Sequence, residues 1–181
     1  MLIIVQDDFT GLEKVNSAFF PKADIQLCIV HMQRNVRKYL TKSKNTEFQD
    51  RMREIKNCRS SADAIVRWDE LCQAFSGKAP HFIERLRKRR DRYLAFLDYP
   101  AGVRRSFSTT NKVEALNNQL ERRSRNSGSW FQSRESLEMK LGILITTLHE
   151  SRWKKPSATI HGVLHDLVCL FGKRYEEDSD A

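Results

Sequence analysis

The chain has 181 residues with 32 Lys+Arg against 23 Asp+Glu, a net charge of +9 and a pI near 9.6, which describes one domain, or a piece of a larger one, suited to a polyanionic partner. No apolar run approaches the roughly 20 residues of a membrane span, and Met1 to Val5 is too short for a signal-peptide core, so the reading is a soluble, cytoplasmic protein with no membrane partner. Cys28, Cys58, Cys72 and Cys169 lack the spacing of a disulfide framework, and only 7 Gly and 4 Pro argue for long helices with short links over a turn-rich sandwich.

Leu2 to Val5 is a compact apolar run that ends in Asp7-Asp8, the pattern of a buried parallel strand whose carboxyl end opens onto a site. Gly11 to Phe20 reads as a short helix closed by Pro21. Ile25 to Val30 reads as a second buried strand that runs into the basic segment from His31 to Lys44. The intervening length suits a crossover between parallel strands, so a small α/β layer is expected. Two parallel strands do not make an independent sheet, and the first is expected to sit in the middle of something larger.

From about residue 46 the pattern turns helical. Phe48, Met52 and Ile55 keep helical spacing; Ile65, Trp68, Cys72 and Phe75 follow a Ser60-Ser61 start signal and stop at Gly77. A third helix is expected from Pro80 to just before Pro100, with Ile83, Leu86, Leu94 and Leu97 inward and the arginines from Arg85 to Arg92 mostly outward. A fourth spans Asn111 to about Arg125, a fifth carries Leu137, Leu141, Leu144 and Leu148, and a sixth carries Ile160, Leu164, Leu167 and Phe171. The acidic residues from Glu176 to Ala181 read as a disordered tail.

Two acids stand at positions that a two-metal phosphoryl-transfer site requires. Asp8 ends a strand and Glu114 lies near the start of a helix, which would offer hard oxygen ligands from rigid elements. As bare residues they also fit a turn or N-cap for Asp8 and a capping box with Asn111 for Glu114. Cys28 and His31 resemble half of a zinc site, for which His161 and His165 would be the other half. The alternative is a buried Cys28 with His31 packed beside the acidic site.

Three stretches together resemble one family: Asp8-Phe9-Thr10-Gly11-Leu12; Cys28-Ile29-Val30-His31 with Arg34-Asn35; and Thr109-Thr110-Asn111-Lys112-Val113-Glu114 with Asn117. They look like the mutator-type transposases of bacterial and archaeal insertion sequences. The resemblance implies an α/β, mainly helical, RNase H-like catalytic domain with an Asp, Asp, Glu triad, a long helical insertion, and two Mg²⁺ (or Mn²⁺) ions. It makes Asp8 the second acid and Glu114 the third, both metal ligands, with Cys28, His31, Asn111 and Asn117 as motif residues. It divides the chain into a strand-helix-strand part of the core at 1–40, the insertion at 41–105, C-terminal core helices at 106–175 and the tail at 176–181.

Phe9 departs from the glycine common after the second acid, and Glu121 from a basic position. The family's first acid lies on an earlier strand, and Asp7 does not substitute for it because neighbours along a strand face opposite sides. The expectation is therefore the C-terminal part of a transposase catalytic domain, without strand-transfer activity by itself. Its partners would be DNA, at element ends and target, and further copies or the full-length transposase. The other reading is an inactive remnant that binds DNA or the full-length enzyme and inhibits it. Arg34, Arg37 and Lys38, then Arg85 to Arg92, Arg104-Arg105, and Arg122, Arg123 and Arg125 are the segments expected on the DNA backbone, against the plainer reading of solvated helix faces.

Overall fold

A computed structural model describes residues 1–9, 11–108, 117–119, 121–122, 125, 128, 131–154 and 158–175. The first apolar run forms β1 (Ile3–Gln6), α1 (Leu12–Phe19) crosses over, and β2 (Asp24–Leu27) lies parallel to β1 in the register Ile3↔Asp24 to Gln6↔Leu27. These two strands are the whole sheet among the described residues, and everything else regular is helical. The expected mainly helical α/β class is what the chain adopts.

The second strand is shorter than its apolar run suggested. It ends at Leu27, Cys28 is an extended N-cap, and α2 (Ile29–Val36) begins inside the expected strand. The reason is that Ile29, Met32 and Val36 are spaced to put three side chains on one buried helical face. Next come α3 (Lys42–Lys56) and α4 (Ser61–Phe75), the latter capped where Ser60 Oγ accepts the Asp63 N–H at 3.0 Å. The expected third helix is two: α5 (Pro80–Lys88) and α6 (Arg90–Leu94) break at Arg89 (φ −112°, ψ 15°), and a 3₁₀ turn at Ala95–Asp98 follows. The chain continues with α7 (Ala101–Phe107), α8 (Arg134–Leu148), a π-helical turn at His149–Trp153, α9 (Ala158–His161) and α10 (Leu164–Tyr175). Of the expected helix from Asn111, residues 117–119, 121–122 and 125 are described and helical; the remainder of that helix and the tail at 176–181 lie outside the described residues.

The chain forms two compact units, Met1–Thr109 with Val163–Ala181, and Thr110–Gly162. In the first, one core runs from Leu27, Ile29 and Met32 through Phe48, Trp68 and Phe75 to Leu86, Tyr93 and Phe96, so β2 and helices α2 to α6 bury their apolar faces together. No membrane-length apolar helix occurs among the described residues. The opening of the sheet is fastened by α10. Arg174 donates to the Lys22 carbonyl at 3.1 Å and to Asp24 Oδ2 at 2.9 Å, and the Tyr99 hydroxyl lies 2.7 Å from the same carboxylate oxygen. In the second unit, Ser133 Oγ caps α8, which carries Leu144 and Leu148 as its buried residues.

The free thiols differ sharply in environment. Cys72 is fully buried, and burial pushes its thiol up to about 11, whereas Cys169 is exposed. A chromogenic disulfide reagent at pH 8 is expected to modify Cys169 quickly and Cys72 only after denaturation, because the thiolate is the reactive form. Equal rates for both thiols in the folded chain would contradict this packing.

Candidate functional site

β1 delivers its carboxyl end into a tight reversal. The Phe9 N–H donates to the Asp7 carbonyl at 2.8 Å, closing a three-residue turn, and Gly11 takes φ +93°, a left-handed conformation that glycine adopts without a Cβ penalty. Adjacent Asp7 and Asp8 consequently meet different surroundings.

Asp8 is clasped by cations. Arg85 Nε donates to its Oδ2 at 2.7 Å with Arg85 Nη2 on the same oxygen, Arg89 Nη1 lies 2.9 Å from Oδ1, and the Tyr93 hydroxyl donates to Oδ2 at 3.3 Å. Arg89 Nη2 also reaches Glu13, as does Arg92 at 3.0 Å. Of the run from Arg85 to Arg92, Arg85, Arg87, Lys88 and Arg92 are exposed as expected, and Arg89 and Arg90 are half-buried. Arg85, Arg89 and Arg92 lie one and two turns apart, and this stripe faces two carboxylates at the end of β1 and the start of α1. Burial, and then the charge of Asp8, push the Tyr93 phenol above its ordinary range, so it stays a donor.

Asp7 turns to the end of β2. Its Oδ1 lies 2.9 Å from His31 Nδ1, which is also 3.3 Å from Cys28 Sγ. The ligand atoms of Asp7, Cys28 and His31 all fall within 4.8 Å of one another, and among the described residues no other such group of metal-capable side chains occurs. The Cys28 N–H is held by the Gln6 carbonyl at 2.8 Å, which fixes the two strand ends side by side. Next to it the Ile29 N–H donates to the Ser108 carbonyl at 3.1 Å, so the residue just before Thr109-Thr110-Asn111 is tied to this corner.

These donors suit a cation unevenly. The Asp7 carboxylate is half exposed, at 46%, and a hard ion such as Mg²⁺ takes one or two such carboxylates while keeping several waters. The thiol and imidazole are softer donors, better suited to zinc. The carboxylate of Asp8, 11% exposed and faced by two guanidinium groups, fits a cation poorly.

The other expected site residues are placed as follows. Arg34, Arg37 and Lys38 are exposed on α2 and just beyond it. Asn117, Arg122 and Arg125 are exposed and helical, with Arg125 on Glu121 at 2.9 Å. Glu114, Asn111 and Arg123 lie outside the described residues. His165 does not join Cys28 and His31, its Nε2 lying 3.6 Å from Cys169 Sγ, and His161 belongs to the second unit. The clasp around Asp8 and the place of Asp7 beside Cys28 were not anticipated. The stripe of Arg85, Arg89 and Arg92 at helical spacing was the signal for the first.

Comparison with known proteins agrees with the motifs. The family model described as "Transposase, Mutator family" matches residues 1–156. The chain is 28% identical over 176 residues to the "Transposase for insertion sequence element ISRM3" of Rhizobium meliloti, covering 97% of this chain and 44% of that protein. It is 26% identical over 159 residues to the "Transposase for insertion sequence element IS905" of Lactococcus lactis, covering 88% and 39%. For the "Transposase for insertion sequence element IS1201" of Lactobacillus helveticus the figures are 28% over 145 residues, 78% and 38%. The chain spans less than half the length of these curated relatives.

Proposed function

The chain belongs to the Mutator family of transposases, and from that premise we propose that it is part of an insertion-sequence transposase that binds DNA and cuts and joins it with divalent metal, on an RNase H-like core. The carrying observation is the convergence of Asp7, Cys28 and His31 at the carboxyl ends of two parallel strands. Asp7, rather than Asp8, is the acid this arrangement offers to an ion. The His31 imidazole and the Cys28 thiol lie beside it as further donors, whereas Asp8 would have to give up two permanent cations. Glu114 is proposed as the companion ligand on the family resemblance of the stretch Thr109-Thr110-Asn111-Lys112-Val113-Glu114.

Mg²⁺ or Mn²⁺ held by Asp7 and Glu114 would supply an activated water and charge stabilisation for the entering and leaving oxygens of phosphoryl transfer. The chain's own residues do the positioning. The Asp8 clasp fixes the turn after β1 and thereby the carboxylate of Asp7, and the exposed Arg34, Arg37 and Lys38 meet the phosphodiester backbone. DNA is the partner, with further copies of the transposase as the assembly expected to hold two element ends.

Mn²⁺ binding, followed by water-proton relaxation, tests the assignment. Asp7→Asn is expected to weaken it by more than the roughly 10–100-fold that loss of an outer hydrogen-bond partner costs. Asp8→Asn is expected to weaken it by no more than that, through the loosened turn, while lowering stability by about 2 kcal/mol, since Arg85 and Arg89 lose a charged acceptor. The reverse pattern would return the role to Asp8. Equal Mn²⁺ binding by the unchanged chain and both variants would favour the reading of a remnant that only binds DNA.

A further inference from the structure

The first unit contains a concavity of about 780 Å³ whose lining includes Arg53, Lys56, Arg59, Arg104 and Arg105 and no carboxylate. It lies where the C-terminal turn of α3, the link to α4 and α7 meet, over the buried ring of Phe96. Two of these five cations have structural partners. Arg104 donates to the carbonyls of Tyr99 at 2.9 Å, Cys58 at 3.1 Å and Leu97 at 2.9 Å, so it builds the wall. Arg53 is paired with Asp50 at 2.8 Å, outside the hollow. Lys56, Arg59 and Arg105 have no ion-pair partner among the described residues.

We propose that this hollow binds the phosphodiester backbone of DNA, through Lys56, Arg59 and Arg105, as a contact separate from the acidic site. Like charges gathered without an acid raise one another's energy, and an entering phosphate relieves that repulsion while water and salt ions leave. The crowding is felt by Lys56, whose ammonium is held below its ordinary value first by burial and then by Arg53 and Arg105. A solvated helix face would leave these side chains spread apart. Here Arg104 ties α7 to the backbone of two other segments, at Cys58 and at Leu97 and Tyr99, and the floor is an aromatic ring that keeps the cations at the rim. The proposal rests on the DNA-binding reading above and specifies a second surface for it.

The test is the salt dependence of binding to a short duplex of mixed sequence, read by fluorescence anisotropy on the full chain. Against the unchanged chain, the triple variant Lys56→Gln, Arg59→Gln, Arg105→Gln is expected to flatten the slope of log K against log[salt] by about 2.7, at about 0.9 per phosphate contact. Over about 50 to 200 mM salt that is roughly a 40-fold smaller loss of affinity. The charge-keeping variant Lys56→Arg, Arg59→Lys, Arg105→Lys is expected to retain the original slope, which separates lost charge from lost folding. If the unchanged chain binds and the glutamine variant keeps its slope, or if only Arg34→Gln, Arg37→Gln, Lys38→Gln reduces it, the hollow is not a contact although the DNA-binding reading stands. If the unchanged chain shows no DNA binding, both readings fall, while the Mn²⁺ experiment still reports on the acidic corner.

Discussion

Gln26→Leu is expected to destabilise the chain by about 3 kcal/mol, although it replaces a polar side chain in a fully buried strand position with an apolar one of similar size. Gln26 has no exposed surface, and its amide joins three pieces of backbone. Nε2 donates to the carbonyls of Leu27 at 2.7 Å and Tyr93 at 3.0 Å, and Oε1 accepts the Phe96 N–H at 2.8 Å. Leucine would leave the Phe96 N–H and the Tyr93 carbonyl facing an apolar group, each a desolvation cost of about 1–3 kcal/mol, against a modest gain from burying methyl groups. Urea unfolding followed by far-UV circular dichroism measures this as a lower midpoint at unchanged slope. A change under about 1 kcal/mol would mean that water or a shifted backbone satisfies those groups. The effect bears on function because Gln26 fastens the middle of β2 to the segment that carries Tyr93, and both ends of that connection lead to the acidic corner.

Gln26 also marks where the sequence stops being legible. The run Ile25-Gln26-Leu27-Cys28-Ile29-Val30 reads as one buried strand because a short apolar stretch carries no period that separates strand from helix. The polar residue within it gave no hint of its partners, since those are carbonyls and an N–H that only tertiary packing brings near. The capping serine of α4 and the core stripe of Trp68, Cys72 and Phe75 were readable, being set by spacing within one helix. So was the parallel pairing of β1 with β2 across a short helix. The break at Arg89 was not, and the arginines around it close on Asp8 and Glu13, residues more than 70 positions earlier in the chain, which local spacing does not reveal. The choice between Asp7 and Asp8 depends on which side of the β1 turn faces Cys28 and His31, and sequence spacing does not contain that information.

Trp68→Ala carries the larger expected penalty, about 3–5 kcal/mol, because it empties the place of the largest fully buried side chain in the core. Trp68→Phe is expected to cost much less, since the indole Nε1 is buried without a hydrogen-bond partner and the smaller ring removes that unsatisfied donor along with some volume. The indole stacks on Tyr93 with centroids 5.6 Å apart, and the Tyr93 hydroxyl donates to Asp8. Tyr93 is therefore gripped by Trp68 through its ring and by Gln26 through its carbonyl, which makes the two positions neighbours in energy although they lie on α4 and β2. A double-mutant cycle with Gln26→Leu and Trp68→Ala should fall short of additivity by roughly 1 kcal/mol, because once either grip is lost the other holds a residue already loosened. Additivity within about 0.3–0.5 kcal/mol would show that the two act independently. In that case the helical core would support the acidic corner through Arg85 and Arg89 alone, and the stacked pair of Trp68 and Tyr93 would be a packing feature with no bearing on where Asp8 and its neighbour Asp7 are held.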